Sequence, residues 1–307
     1  MSTPTYRAAV VRDPRGPDTI EIIDVPLVEP GAGQVRVQVA AAAVNPVDVG
    51  VVRGVFHAMG LVDQPDHTGL GWDFAGTVVA AGPDVDVPIG ARVAGVVDGF
   101  DRDFGTHAEQ VIVPAADLGI VPGSLDLTAA STVPLNGLAG AQIVDLLGDA
   151  HAERDRLLVT GAAGAVGGYV VALAPERGWK VTGLARASDE PFVRGLGASF
   201  TTQARPGWDA VVDGAAMQEQ ALALVADGGQ FVGVQPAAPL PEERGITVDV
   251  VVTHPDAARL TDLLARTAAG ELPSRVHAVV PLDRIADAYR AVSEGGFRGR
   301  YVVQPSA

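Results

Sequence analysis

Cysteine is absent from this chain of 307 residues. That removes disulfides, thiolate nucleophiles and every zinc site that needs a sulfur ligand, and it leaves no redox marker of compartment. Lysine is almost absent too, with Lys180 standing alone. A phosphate-binding Gly-Lys-Ser/Thr loop needs a hydroxyl residue after its lysine, and here Val181 follows. A Tyr-x-x-x-Lys pair needs tyrosine at 176, where the chain has Glu176. Nor is there a Gly-x-Ser-x-Gly turn of the serine hydrolases. Positive charge is scarce overall: 22 basic against 37 acidic residues leave a formal charge of −15. Such a chain is a poor partner for nucleic acid or an anionic membrane, both of which ask for a basic face. The opening MSTPTYRAAVVRDPRG sets Arg7, Arg12 and Asp13 among short apolar runs, unlike a signal peptide or a membrane span, so a cytoplasmic location is expected.

What is present is a globular composition, 48% hydrophobic and 19% charged. At about 150 residues per domain the length suggests two domains. Up to about Val113 the signals are those of strands: VRVQVA (35–40) alternates, GTVVAAG (76–82) and GARVAGVVDG (90–99) are β-branched runs closed by glycine, and HAEQVIVP (107–114) ends on proline. From about residue 123 strands alternate with helices, through LLVT (157–160), KVTGLA (180–185), DAVVD (209–213), QFVGV (230–234) and TVDVVV (247–252). QEQALALVADGG (218–229) reads as one of the helices, stopped by its glycines. Alternation of this kind implies an α/β fold with a parallel sheet covered on both faces. An amphipathic helix at about Asp256–Ala269 and a mixed tail follow, and the tail is assigned to the first domain. The expected division is 1–122 and 254–307 for a β-rich domain split in sequence, with a Rossmann-like, doubly wound domain at 123–253 inserted between.

The first strand of the inserted unit runs into LLVTGAAGAVGGYVVA (157–172). Gly161, Gly164 and Gly167, with Ala162, Ala165 and Val166 between, form a turn that leads into a helix. Glycine tolerates positive φ there, and with no Cβ it lets a pyrophosphate reach the N–H groups at the helix N-terminus. Taken alone, this spacing also suits tight strand–helix packing; as the first turn of an alternating unit it points to a dinucleotide. An acidic residue at the end of the next strand would bind the ribose of NAD. That strand ends Gly183-Leu184-Ala185, then Arg186-Ala187-Ser188. With no carboxylate at the end, and with Arg186 and Ser188 to grip a 2′-phosphate, the expected cofactor is NADPH. Gly233 and Val234, at the end of another strand, are expected beside the nicotinamide.

Taken together and in order, AAAVNPVDVGVVRG (41–54), GWDFAGTVVAAGPDV (71–85), GARVAG (90–95), LLVTGAAGAVG (157–167), VRGLGA (193–198), DAVVDGA (209–215) and GRYVV (299–303) resemble the medium-chain dehydrogenase/reductase superfamily, in particular its zinc-independent quinone oxidoreductase-like branch. The resemblance spans nearly the whole chain. It implies a GroES-like catalytic domain, split in sequence, embracing a Rossmann domain with the active site in the cleft. Zinc-dependent relatives place a cysteine where this chain has Asn45, and His-Glu where it has Trp72-Asp73. The other metal candidates, His57, Asp66 and His67, sit on a loop without regular spacing, so no metal is expected.

Without a Lewis acid, alcohol oxidation loses its activator, whereas a quinone or α,β-unsaturated ketone accepts hydride without one. The resemblance therefore implies an NADPH-dependent reductase of an electron-poor small molecule. Asn45, in the Asn-Pro-x-Asp motif, is the candidate hydrogen-bond donor to the developing enolate; an Asx turn before Pro46 is the structural alternative. Asp48 and Arg53 are expected to pair. Gly50 replaces a tyrosine of several relatives, and Phe297 and Arg300 replace an asparagine and a lysine. Two other readings follow the same residues: a biosynthetic enoyl or ketone reductase, and an NADPH-binding sensor or scaffold without turnover. Relatives often form homodimers through the edge of the Rossmann sheet, a role open to TVDVVV.

Overall fold

The computed structural model describes residues 4–236 and 238–305. The chain divides into two units, one built from Met1–Leu135 with Pro255–Ala307 and the other from Asn136–His254.

The first unit opens with β1 (Thr5–Val11), β2 (Ile20–Pro26) and β3 (Gln34–Ala43), then the short helices α1 (Pro46–Val52) and α2 (Val55–Ala58). There follow β4 (Thr68–Gly69), β5 (Asp73–Ala81), β6 (Arg92–Val96), β7 (Gln110–Pro114), β8 (Gly119–Ile120) and α3 (Leu127–Ala130). Alternation drives β3: Val35, Val37 and Val39 are fully buried while the residues between them are not. They pack with Phe74, Val78, Val93 and Val111 into one core. A second core gathers Val44, Val49, Val51 and Val52, from α1 and the residue preceding its cap, with Leu70, Leu282, Ile285 and Tyr289.

The second unit carries α4 (Pro134–Leu147, which begins in the first), β9 (Arg156–Thr160), α5 (Ala165–Leu173), β10 (Lys180–Leu184), α6 (Glu190–Gly195), β11 (Ser199–Thr201), β12 (Trp208–Asp213), α7 (Glu219–Leu222), β13 (Val225–Gly233) and β14 (Thr247–Val250). Its six strands lie in the order β11-β10-β9-β12-β13-β14, and every pairing is parallel. Buried runs such as Leu157-Leu158-Val159, without polar alternation, suit a sheet covered on both faces.

The chain then returns to the first unit with α8 (Ala257–Ala268), β15 (Val276–Pro281), α9 (Ile285–Glu294) and β16 (Arg300–Gln304). Helix α8 buries Leu260, Leu263 and Leu264 at helical spacing, and Asp256 caps it by accepting from the Arg259 N–H at 2.9 Å. Strand β16 pairs with β15 on one side and with the end of β3 on the other, which completes a seven-stranded sheet. This is the split GroES-like domain with a Rossmann-like parallel sheet. Among the described residues no helix is long and apolar enough to cross a membrane.

Two boundaries differ from the sequence reading. The first unit extends past 122 to Leu135, because Leu135 N donates to Asp73 at 2.6 Å and Thr132 accepts from Arg275 N at 3.2 Å. The helix expected over 218–229 is the single turn α7. Arg244 takes the carbonyls of Leu222 and Val225 at 2.9 and 2.8 Å, and Val225 pairs with Trp208, so the chain after Leu224 joins the sheet as β13.

Candidate functional site

In the second unit the glycine turn lies at the carboxyl end of β9. Gly161 adopts φ +58, and Gly164 ends the turn as the N-cap of α5. A Cβ on Gly167 would stand 2.3 Å from the Gly161 carbonyl oxygen, so the turn folds back on its own helix. Gly164 is exposed, Ala165 and Val166 are half-buried, and Ala162 is buried. The cap has no side-chain hydrogen bond, and the first N–H groups of any helix have no acceptor within it. The neighbouring turn is held in place by Thr160: its hydroxyl donates to Asp213 Oδ1 at 2.6 Å and accepts from Ala215 N at 3.1 Å. Asp213 Oδ2 accepts from Gln218 N at 2.7 Å. Neither Thr160 nor Asp213 was singled out by the sequence reading, although DAVVDGA contained the signal.

Arg186 and Ser188 follow β10 and are both exposed; among the described residues no carboxylate pairs with Arg186. Asp189 is buried one residue beyond Ser188, in the turn itself. Gly233 is buried at the end of β13, with its carbonyl accepting from Val251 N at 3.0 Å, and Val234 is half-buried. A helix N-terminus that begins with glycine, alanine and valine fits the pyrophosphate of a dinucleotide.

In the first unit a buried polar cluster surrounds the start of α1. Asn45 is its N-cap, 1% exposed, with Pro46 in the first turn where a missing N–H costs nothing. Asp48 Oδ2 accepts from Asn45 N at 2.7 Å, and Asn45 Nδ2 donates to Asp73 Oδ2 at 2.8 Å. The side-chain amide is thus engaged with Asp73, and the capping role is the one the geometry displays. Burial pushes Asp48 up to about 7, against the pull of the Asn45 N–H and the Arg102 charge. Burial likewise raises Asp73 to about 7, opposed by the Asn45 amide and the Leu135 N–H.

The expected Asp48–Arg53 pair is not formed. Asp48 is fully buried, Arg53 is an exposed C-cap, and the charges facing Asp48 are Arg102 and Arg300. Arg102 donates to the carbonyls of Val97 and Gly71 at 2.7 and 2.8 Å and lies over the Trp72 ring at 4.9 Å. Behind the cluster, His107 is fully buried and its pKa is driven by burial down to about 3. Its Nε2 faces the Ala43 carbonyl at 3.2 Å, so it carries the hydrogen, and Nδ1 accepts from the Tyr289 hydroxyl at 2.9 Å.

The remaining candidates separate. His57 meets Thr68 at 3.1 Å and His67 packs on Phe104, while Phe297 stacks on His277 at 4.6 Å. Among the described residues no group of three or more His, Asp or Glu is placed to hold a metal.

Two family models match the chain: the alcohol dehydrogenase GroES-like domain over residues 31–123 and the zinc-binding dehydrogenase over 188–303. The chloroplastic NADPH-dependent alkenal/one oxidoreductase of Arabidopsis thaliana is 28% identical, with 97% of this chain and 79% of that protein aligned. The 2-methylene-furan-3-one reductase of Solanum lycopersicum is also 28% identical, over 89% and 72% of the two chains. The structure of the quinone oxidoreductase from Coxiella burnetii superposes with a TM-score of 0.85 at 23% identity, covering 99% of this chain and all of that one. The zinc named by the second model does not fit the residues here. Asn45 uses its amide nitrogen as a donor to Asp73, and the indole of Trp72 has no lone pair to offer a cation.

Proposed function

Because this chain belongs to the medium-chain dehydrogenase/reductase superfamily, structurally close to quinone-oxidoreductase-like members and without the zinc-binding residues, we propose that it is an NADPH-dependent reductase of quinones or α,β-unsaturated ketones. The observation that carries this reading is the Asn45–Asp73 hydrogen bond, between residues that the resemblance aligns with the cysteine and His-Glu positions of zinc-dependent relatives. A substrate here receives no Lewis-acid activation from the protein, so it must be an acceptor already activated by conjugation. The activities for which the alkenal/one and furanone relatives are named support the same class.

In this reading the N–H groups at the start of α5 hold the pyrophosphate, with Gly161, Ala162, Gly164, Ala165, Val166 and Gly167 keeping side chains out of its way. Arg186 and Ser188 grip the 2′-phosphate through charge-assisted bonds. Gly233 and Val234 line the nicotinamide. When bound, the reduced cofactor supplies the hydride. Thr160 and Asp213 hold the turns at the carboxyl ends of the central strands β9 and β12 in register, and Asn45 serves as a positioning residue that fixes α1 against β5.

The test is the loss of NADPH absorbance, with NADH in parallel, against a benzoquinone, a naphthoquinone, a cyclic enone, an acyclic enone and a simple ketone. Turnover of the conjugated acceptors, faster with NADPH and absent with the simple ketone, is the expected result. Turnover of the simple ketone alone, or none with any acceptor, would overturn the proposal.

A further inference from the structure

Among the described residues several buried polar atoms near α1 have no partner, Asp48 Oδ1, Arg102 Nε and the indole nitrogen of Trp72 among them, and of these the last is a neutral donor. The indole Nε1–H of Trp72 is buried, on a side chain 7% exposed, and has no acceptor within hydrogen-bonding distance. An unpaired buried donor weakens a fold, so its retention calls for a cause. The surroundings supply one. Phe100 lies edge-on to the indole at 5.3 Å, and Phe56 stacks on Phe100 at 3.9 Å. Phe56 occupies space that only a glycine at position 50 leaves open, since a Cβ there would stand 2.8 Å from its ring. The guanidinium of Arg102, over the indole at 4.9 Å, directs its terminal nitrogens to two backbone carbonyls. The outcome is a run of half-buried aromatic rings beside one neutral, unspent donor.

Ring faces attract a flat conjugated system, and a lone N–H attracts a carbonyl oxygen. We propose that Phe56, Phe100 and Trp72 form the acceptor subsite, with Trp72 Nε1–H binding the carbonyl oxygen of a planar conjugated ketone or quinone. For the reaction this rests on the reductase reading above; for binding it stands by itself. A bound reduced nicotinamide would supply the hydride: its C–H bond would break as one forms on the conjugated carbon, leaving the nicotinamide oxidised, and Trp72 would hold the oxygen that receives the π electrons. A proton from water then completes the reduced product. A donor at that oxygen is worth more in the charged transition state than in the ground state.

The test titrates 1,4-naphthoquinone by calorimetry into protein saturated with NADP+, so that no hydride can be transferred. Trp72→Phe keeps a ring and removes the N–H. It is expected to bind the quinone roughly tenfold more weakly than the unaltered chain. Its NADP+ affinity should stay the same, and its melting temperature should be equal or higher, because no folded-state hydrogen bond is lost. Gly50→Ala, which displaces Phe56, is expected to weaken the quinone more than a small acyclic enone. Equal quinone affinity in both variants, or no quinone binding by the unaltered chain, would overturn the subsite. Binding that depends on Trp72 without any NADPH oxidation would uphold the subsite and sink the reductase reading. NADPH oxidation that is indifferent to both variants would do the reverse.

Discussion

The glycine turn of the second unit and the polar cluster of the first solve opposite problems. In the turn, the fold depends on what is missing: a single added Cβ at Gly167 would strike a backbone oxygen at 2.3 Å. Around α1 it depends on what has been forced in, with Asn45, Asp48, Asp73 and His107 all at most 1% exposed. Backbone that folds tightly on itself tolerates almost no side chain, whereas a buried polar cluster is built from side chains that brace one another. The first kind of site resists substitution everywhere, and the second resists it only where a partner would be stranded.

The largest expected effect tests the backbone side of that contrast. Gly167→Val should destabilise the second unit by about 4 kcal/mol or more, since the Gly161 carbonyl cannot move without unmaking the turn. Thermal melting and a nucleotide titration should show a lowered transition together with lost NADPH binding. On the side-chain side, Asn45→Ala strips a buried carboxylate of a donor and α1 of its cap, at a cost of about 2–4 kcal/mol. A shift of the urea midpoint at unchanged m-value would record it. Arg186→Ala comes next, with a loss of roughly ten- to a hundredfold in NADPH affinity and little change for NADH. Equal losses for both cofactors would remove the role given to that arginine.

The smallest effect is a pH trend, and it separates groups within the cluster. Asp48 and Asp73, held near 7 against an ordinary 3.8, contribute stability that is complete below about pH 4 and is lost as pH rises through 7. His107, lowered to about 3 from 6.5, contributes stability present above 6.5 and lost as pH falls through 3. Between these limits two carboxylates oppose one imidazole. The free energy of unfolding should therefore fall as pH rises from about 4 to 6.5, with a slope on the order of 1 kcal/mol per pH unit, and the melting temperature with it. Asp48→Asn should flatten that slope, and an unchanged slope would show that Asp48 does not titrate in this range.

The same contrast explains what could be read from the sequence. Parallel strands such as LLVT and DAVVD are continuous apolar runs, and the glycine spacing records a local demand of the backbone, so both were legible. The cluster was not, because its bonds join residues far apart: Asn45 to Asp73, and His107 to Tyr289 across most of the chain. Local reasoning paired Asp48 with Arg53, five positions on, when the cations facing it come from 102 and 300. It read 218–229 as helix because the carbonyls that end the helix are taken by Arg244, which no window of that length contains. The departure at Gly50 was visible as a missing tyrosine; the phenyl ring that fills its place comes from a different helix.

The pairing of β16 with β3 also governs how the chain assembles. Val302 meets Ala43, about 260 residues earlier, and closing so long a loop is slow. During synthesis β3 emerges well before β16, the strand that completes its sheet. The parallel sheet of the second unit, whose strands are contiguous in sequence, has every partner available long before. Assembly is therefore expected to run from the middle outward, with the Ala42-Ala43 end of β3 lacking its partner until β16 is made, and a lesion in β16 would be felt at the end of β3.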